Sequence, residues 1–169
     1  MKKILIIIAI IVVNLVLMKE KEIIIPKEAI RFRIVANSNT TEDQKIKKEI
    51  LNNISEELVK ANNLKSIEDT RKFIKREIPV FNKIVDKTLK ENNYKKDFHT
   101  NYGKNFFPEK KYKNVKYEAG EYESLVITIG EGKGHNFWCV LFPPLCLVDE
   151  TEENVEYKSI VKEIINKYF

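Results

Sequence analysis

At 169 residues, with 43% hydrophobic and 33% charged side chains, the chain has the length of one domain and enough apolar content to fold. Its formal net charge of +5 comes from basic and acidic residues interleaved along the chain. That charge is too small and too scattered to make a nucleic-acid-binding face, so no nucleic-acid partner is expected.

Lys2 and Lys3 precede an apolar run from Ile4 to Met18 broken only by Asn14, and Lys19-Glu20-Lys21-Glu22 opens the polar chain. A basic start and a run of this length form a targeting segment, long for a signal peptide and short for a spanning helix. Val16 and Met18 stand where a signal peptidase needs small residues, which favours a retained membrane anchor over a cleaved leader. Two lysines held in the cytoplasm place the remainder across the membrane. The expected organisation is a leader over 1–18, a linker over 19–28 and one domain over 29–169.

Within that domain, residues 29–36 alternate. Ile30, Phe32, Ile34 and Ala36 face one way and Arg31, Arg33 and Val35 the other, the pattern of a half-buried strand. Asn37 to Thr40 stop it, and Asn39 with Glu42 reads as a capping box. A first helix carries Ile46, Ile50, Ile54 and Leu58 at a spacing of four, widened by Leu51 and Val59, and ends around Ala61 to Asn63. Ser66 and Asp69 open a second, with a stripe of Ile67, Phe73, Ile74, Ile78, Phe81, Val85 and Leu89. Pro79 inside it predicts a kink or a restart.

After Asn92-Asn93 the period becomes two, with Tyr94, Lys96, Phe98, Thr100 and Tyr102 on one face. Gly103 is expected to turn the chain into a charged loop over 104–111. Strands over 112–118 and 122–130 flank Ala119-Gly120, and the apolar run Leu125 to Ile129 belongs at the centre of a sheet. A loop over Gly130 to Gly134 leads into a buried segment, Phe137 to Phe142. The tail from Val155 to Phe169 sets Ile160, Val161, Ile164, Ile165 and Tyr168 on one face of an amphipathic helix. The fold class is therefore α+β: a mixed, mostly antiparallel sheet with two long helices and a C-terminal amphipathic helix packed on it.

Few residues support chemistry. Gly130-Glu131-Gly132-Lys133-Gly134 is not a phosphate loop, because Gly134 stands where Ser or Thr must hold magnesium; a strained turn explains the glycines. No nucleotide or other small-molecule cofactor is implied. Cys139 beside His135 and Asn136 admits a thiol hydrolase only weakly, since neighbours in sequence diverge in space and a thiol–imidazole pair needs convergence. His99, His135, Cys139 and Cys146 lack the spacing of a zinc site, so no metal is expected. In an exported domain Cys139 and Cys146 are either a disulfide closed across Pro143-Pro144 or two buried apolar thiols. Arg31 and Arg33 on one strand face need acidic partners or a ligand, and helix carboxylates or Glu121 and Glu123 are the internal candidates.

The strings Ala119-Gly120-Glu121-Tyr122-Glu123-Ser124-Leu125, Gly130 to Gly134 and Asn136-Phe137-Trp138-Cys139-Val140-Leu141-Phe142-Pro143-Pro144-Leu145-Cys146 resemble the stage II sporulation protein R family. Ala29 to Ser38, with Asp43-Gln44, adds a second matching block. Phe137 stands where the family usually carries a first Trp, and Lys113 and Glu118 where Gly and Pro would be expected. The resemblance implies a protein made in the forespore and delivered into the space between the two sporulation membranes. It also implies a partner, a membrane-embedded aspartic protease like stage II sporulation protein GA, which processes the precursor of sigma E in the mother cell. On that reading the chain is a ligand and not an enzyme. The rivals are a cell-envelope thiol hydrolase using Cys139 and a membrane-tethered structural protein. The polar loop residues Glu131, Lys133, His135 and Asn136, with Trp138, are the first candidate contact surface, and Arg31 and Arg33 the second.

Overall fold

The computed structural model describes residues 23–60, 64–112, 115–146 and 163–168. The targeting segment expected over 1–18 lies outside them, as does most of the expected C-terminal helix. Among the described residues no helix is long and apolar enough to cross a membrane.

The architecture is α+β. In chain order the elements are β1 (Ile23–Ile24), β2 (Ile30–Val35), α1 (Thr41–Val59), α2 (Ile67–Glu91), β3 (Phe98–Phe107), β4 (Lys110–Tyr112), β5 (Val115–Tyr117), β6 (Gly120–Ile129) and β7 (Asn136–Phe142). The strands form two sheets, of order β3-β6-β2-β7 and β1-β5-β4. In the larger, β2 runs parallel to β6 and antiparallel to β7, and β3 runs antiparallel to β6. The stretch expected as a linker contributes β1, which pairs with β5, and the buried Ile25.

Alternation assigns the two faces of the large sheet. Ile30, Phe32 and Ile34 of β2 and Leu125, Ile127 and Ile129 of β6 pack against Ile46, Ile50, Ile54 and Leu58 of α1 and Phe73, Ile74, Phe81, Val85 and Leu89 of α2. The opposite face carries Arg31 and Arg33. It is not open to solvent as a half-buried strand would be, because Arg31 is only 1% exposed and Val35 6%. Val115 of the small sheet packs with Ile25, Ala29, Val140 and Leu145 there, while Phe107, Tyr122, Val126 and Val35 make a third cluster with Trp138. Residues 163–168 are helical. Ile164 and Ile165 join the Val115 cluster, and the Tyr168 ring meets Phe142 at 5.1 Å.

Two local expectations change, and at Pro79 the restart, one of two alternatives, is excluded. The cap of α1 is Thr40, whose hydroxyl accepts from the Asp43 N–H, because Asn39 is engaged elsewhere. Gly103 makes no turn: β3 runs through it, with Gly103 opposite Ser124, and the chain turns at Pro108-Glu109 instead. Helix α2 continues through Pro79 without a restart. Pro79 is exposed, so the carbonyl it deprives of a partner faces water, and the buried Ile74 and Phe81 anchor the helix on either side. Replacing Pro79 by Ala should therefore raise stability by about 1–3 kcal/mol, the helix-interior penalty less the greater freedom of the unfolded chain. Urea denaturation measures it, and a loss of stability would mean that the proline shapes the packing of α2.

Candidate functional site

Strand order builds the first candidate surface. Because β6 and β7 flank β2, their connection must cross the end of β2 where the chain leaves for α1. The crossing is stitched by backbone groups: Lys133 N–H donates to the Asn37 carbonyl at 3.0 Å and Gly134 N–H to the Ala36 carbonyl at 2.9 Å. Side chains add to it. Glu131 N–H donates to Asn37 Oδ1 at 3.0 Å, His135 N–H to Asn39 Oδ1 at 2.7 Å, and Lys47 Nζ to the His135 carbonyl at 2.9 Å. Such close approach explains two glycines. A Cβ on Gly130, whose φ is +54°, would lie 2.3 Å from Asn37 Oδ1, and one on Gly134 would lie 2.2 Å from the Ser38 carbonyl oxygen.

Asn37 is the hinge-pin of this crossing. Its Nδ2 donates to Asp43 Oδ2 at 2.8 Å, and the Tyr94 hydroxyl donates to the other Asp43 oxygen. Asp43 also sits in the first turn of α1, where the helix dipole favours an anion. Burial alone would raise the Asp43 carboxyl, but hydrogen bonds from Ser38, Tyr94, Asn37 and Thr40 outweigh it and hold it at about 2. Burial and the Asp43 carboxylate push the Tyr94 phenol upward. With its backbone pinned, the loop turns Glu131, Lys133 and His135 to solvent. Glu131 and Lys133 pair with each other at 2.6 Å, which lowers the carboxyl and raises the amine.

The second surface lies on the far face of the sheet. Arg33 stands opposite Trp138 and Val35 opposite Asn136, so Asn136 and Trp138 belong to the arginine face and not to the loop tip. Arg31 lies 3.3 Å from the Tyr122 ring centroid, 5.3 Å from Phe107 and 5.7 Å from Tyr117. Arg33 lies 4.9 Å from Phe107 and 5.3 Å from Trp138. Among the described residues the internal ion pairing expected from the sequence is not made. Arg31 faces the side of β6 that carries Tyr122 and Ser124, whereas Glu123 points to the helices. There Arg71 holds Glu123 at 2.8 Å and Tyr102 donates to it. Among the described residues Arg31 Nε and Nη2 and Arg33 Nε are buried without a hydrogen-bond partner. Burial lowers both guanidinium groups, opposed at Arg31 by Tyr122, Tyr117 and Glu118.

Comparison with known proteins bears on this geometry. The family model described as stage II sporulation protein R matches residues 26–152. The chain belongs to the stage II sporulation protein R family. It is 39% identical over 132 residues to the stage II sporulation protein R of Bacillus subtilis (strain 168), covering 78% of this chain and 59% of that protein. The chain thus spans less than two thirds of its relative, and the relationship supports a role in sporulation. No solved structure matches.

The blocks that carry the family resemblance meet in space: Ala36 to Asn39 and Asp43 form the bed on which Gly130 to His135 lie. Asp43, Tyr94 and Lys47 were not singled out from the sequence as site residues. Their only signal was the Asn-Ser followed by Asp-Gln around the start of α1. Cys139 and Cys146 are joined by a disulfide with their Cα atoms 5.2 Å apart. A bonded sulfur offers no thiolate, so the hydrolase reading loses its nucleophile. Among the described residues no three His, Cys, Asp or Glu side chains gather to hold a metal ion.

Two measurements follow. Asp43 is held below its unfolded value of 3.8, so its stabilisation, about 2 kcal/mol, is complete above pH 4 and fades as pH falls toward 2. Asp43→Asn should lose about that much at pH 7 and show a flatter acid denaturation curve; parallel acid curves for both proteins would remove Asp43 from this role. Iodoacetamide under native, unreduced conditions should label neither cysteine. Changing both to Ser should cost about 2–3 kcal/mol, the entropy of closing so short a loop.

Proposed function

We propose that the chain is an exported sporulation signal that acts by protein contact: it binds a membrane-embedded aspartic protease, like stage II sporulation protein GA, and turns on processing of the sigma E precursor in the mother cell. The observation that carries this reading is the pinned loop. A polar turn whose backbone is fixed by five hydrogen bonds to Ala36, Asn37, Asn39 and Lys47 presents Glu131, Lys133 and His135 with little entropy left to lose on binding. A ligand of this kind activates by binding the active state of its receptor more tightly than the resting one. Family membership supports the sporulation setting, and the apolar run Ile4 to Met18 supports delivery across the forespore membrane with the segment retained as an anchor.

The test uses the pairing of Glu131 with Lys133. Exchanging them, as Glu131→Lys with Lys133→Glu, keeps the ion pair and the net charge while inverting the charge pattern shown to a partner. In sporulating cells the exchanged protein should be exported and folded yet leave the sigma E precursor unprocessed, read by immunoblot. Normal processing by the exchanged protein would take the loop out of the contact.

A further inference from the structure

A buried guanidinium normally has a carboxylate or several carbonyl oxygens around it, because an uncompensated charge costs several kcal/mol to desolvate. Among the described residues Arg31 makes no ion pair, and Glu118 acts on it only weakly. It is 1% exposed, rings of Tyr122, Phe107 and Tyr117 surround it, and its Nε and Nη2 have no hydrogen-bond partner. Those two nitrogens form one edge of the guanidinium, the edge that grips both oxygens of a carboxylate side-on. Arg33, two residues along the same face, leaves its Nε unpaired as well. Glu123 is on the other face of β6 and is held by Arg71, and Glu118 acts on Arg31 only through space, as the smallest of the influences on it.

Further positive charge surrounds the outer end of this row. Lys110 Nζ lies 5.3 Å from the Trp138 ring, and Lys47 is lowered by burial and by Lys110. Arg33 and Trp138 are half-buried and stand opposite each other, whereas Arg31 is buried, so the row is closest to solvent at its Arg33 end. The aromatic walls hold the two guanidinium groups in place without neutralising them, which leaves the Nε–Nη2 edge of Arg31 and the Nε of Arg33 available. We infer that Arg31 and Arg33 form a receptor slot for carboxylate side chains of an acidic peptide segment on a partner protein, entered past Trp138. The slot deepens the signalling reading above by giving the partner's contact a chemistry, and it rests on that reading for the partner being a protein.

The molecule carries its own reporter, since Trp138 is the single tryptophan of the chain. The full chain in a non-ionic detergent is titrated with a capped tetraglutamate peptide, a capped tetraglutamine peptide and inorganic phosphate, following tryptophan fluorescence. A saturable change with tetraglutamate alone is expected. Arg33→Met should weaken binding on the order of ten- to hundredfold, the loss of charge-assisted hydrogen bonds. Arg31→Met should weaken it similarly and melt no lower than the parent, because it removes an uncompensated buried charge. No saturable change, an equal response to tetraglutamine, or a response to phosphate without one to the peptide would overturn the slot. So would a lower melting temperature in Arg31→Met joined to unchanged peptide affinity in Arg33→Met, which would make the pair a structural keystone. If Arg31→Met does not fold, Arg33→Met at the end closest to solvent decides alone. The titration reads the slot and the immunoblot reads the signalling role, so failure of one is distinguishable from failure of the other.

Discussion

A strand paired along both edges satisfies its backbone only through its neighbours, and β2 does so with β6 on one side and β7 on the other. The rest of the domain follows from that position. Parallel pairing with β6 requires a long crossover, which α1, α2 and β3 supply, and the helices cover the face bearing Ile30, Phe32 and Ile34. The link from β6 to β7 must then pass over the end of β2. Both candidate surfaces are products of this arrangement: the pinned loop at the end of β2, and the arginines on its second face.

The two surfaces handle buried charge in opposite ways. Asp43 is surrounded by donors and held well below the ordinary carboxylate range, so it acts as a fixed anchor for Asn37 and through it for the loop. Arg31 is surrounded by ring faces that attract a cation but accept no conventional hydrogen bond at its Nε–Nη2 edge. One group is finished by the fold itself. The other keeps an edge with no hydrogen-bond partner among the described residues, which is the observation the proposed slot rests on.

Rigidity at the loop and the disulfide at the end of β7 serve the same purpose. Cys139 lies beside Trp138 in β7, and Cys146 closes the turn that follows Phe142. The bond ties the exit of β7 to the strand that borders the arginine face. On the proposed signalling reading, surfaces whose shape does not depend on the partner to form them leave less to be ordered on binding.

Much of this was legible in the sequence, for reasons of period. Spacings of four placed Ile46, Ile50, Ile54 and Leu58 in the core, Ser66 marked the start of α2, and the apolar run Leu125 to Ile129 marked a strand inside the sheet. The glycines between Gly130 and Gly134 marked a strained turn, and strand order made that turn a crossing over the end of β2. Alternation in β2 separated arginines from isoleucines correctly but could not say that the second face is covered, because coverage comes from a small sheet distant in sequence. The same limit hid Asp43 and Tyr94, which meet across the fold, and moved the cap from Asn39 to Thr40 once Asn39 was drawn to His135. It also left Glu123 among the candidate partners of the arginines. Local pattern determines which residues share a side of an element; only the pairing of β2 with β6 decides that Glu123 looks toward Arg71 while Arg31 looks away from it.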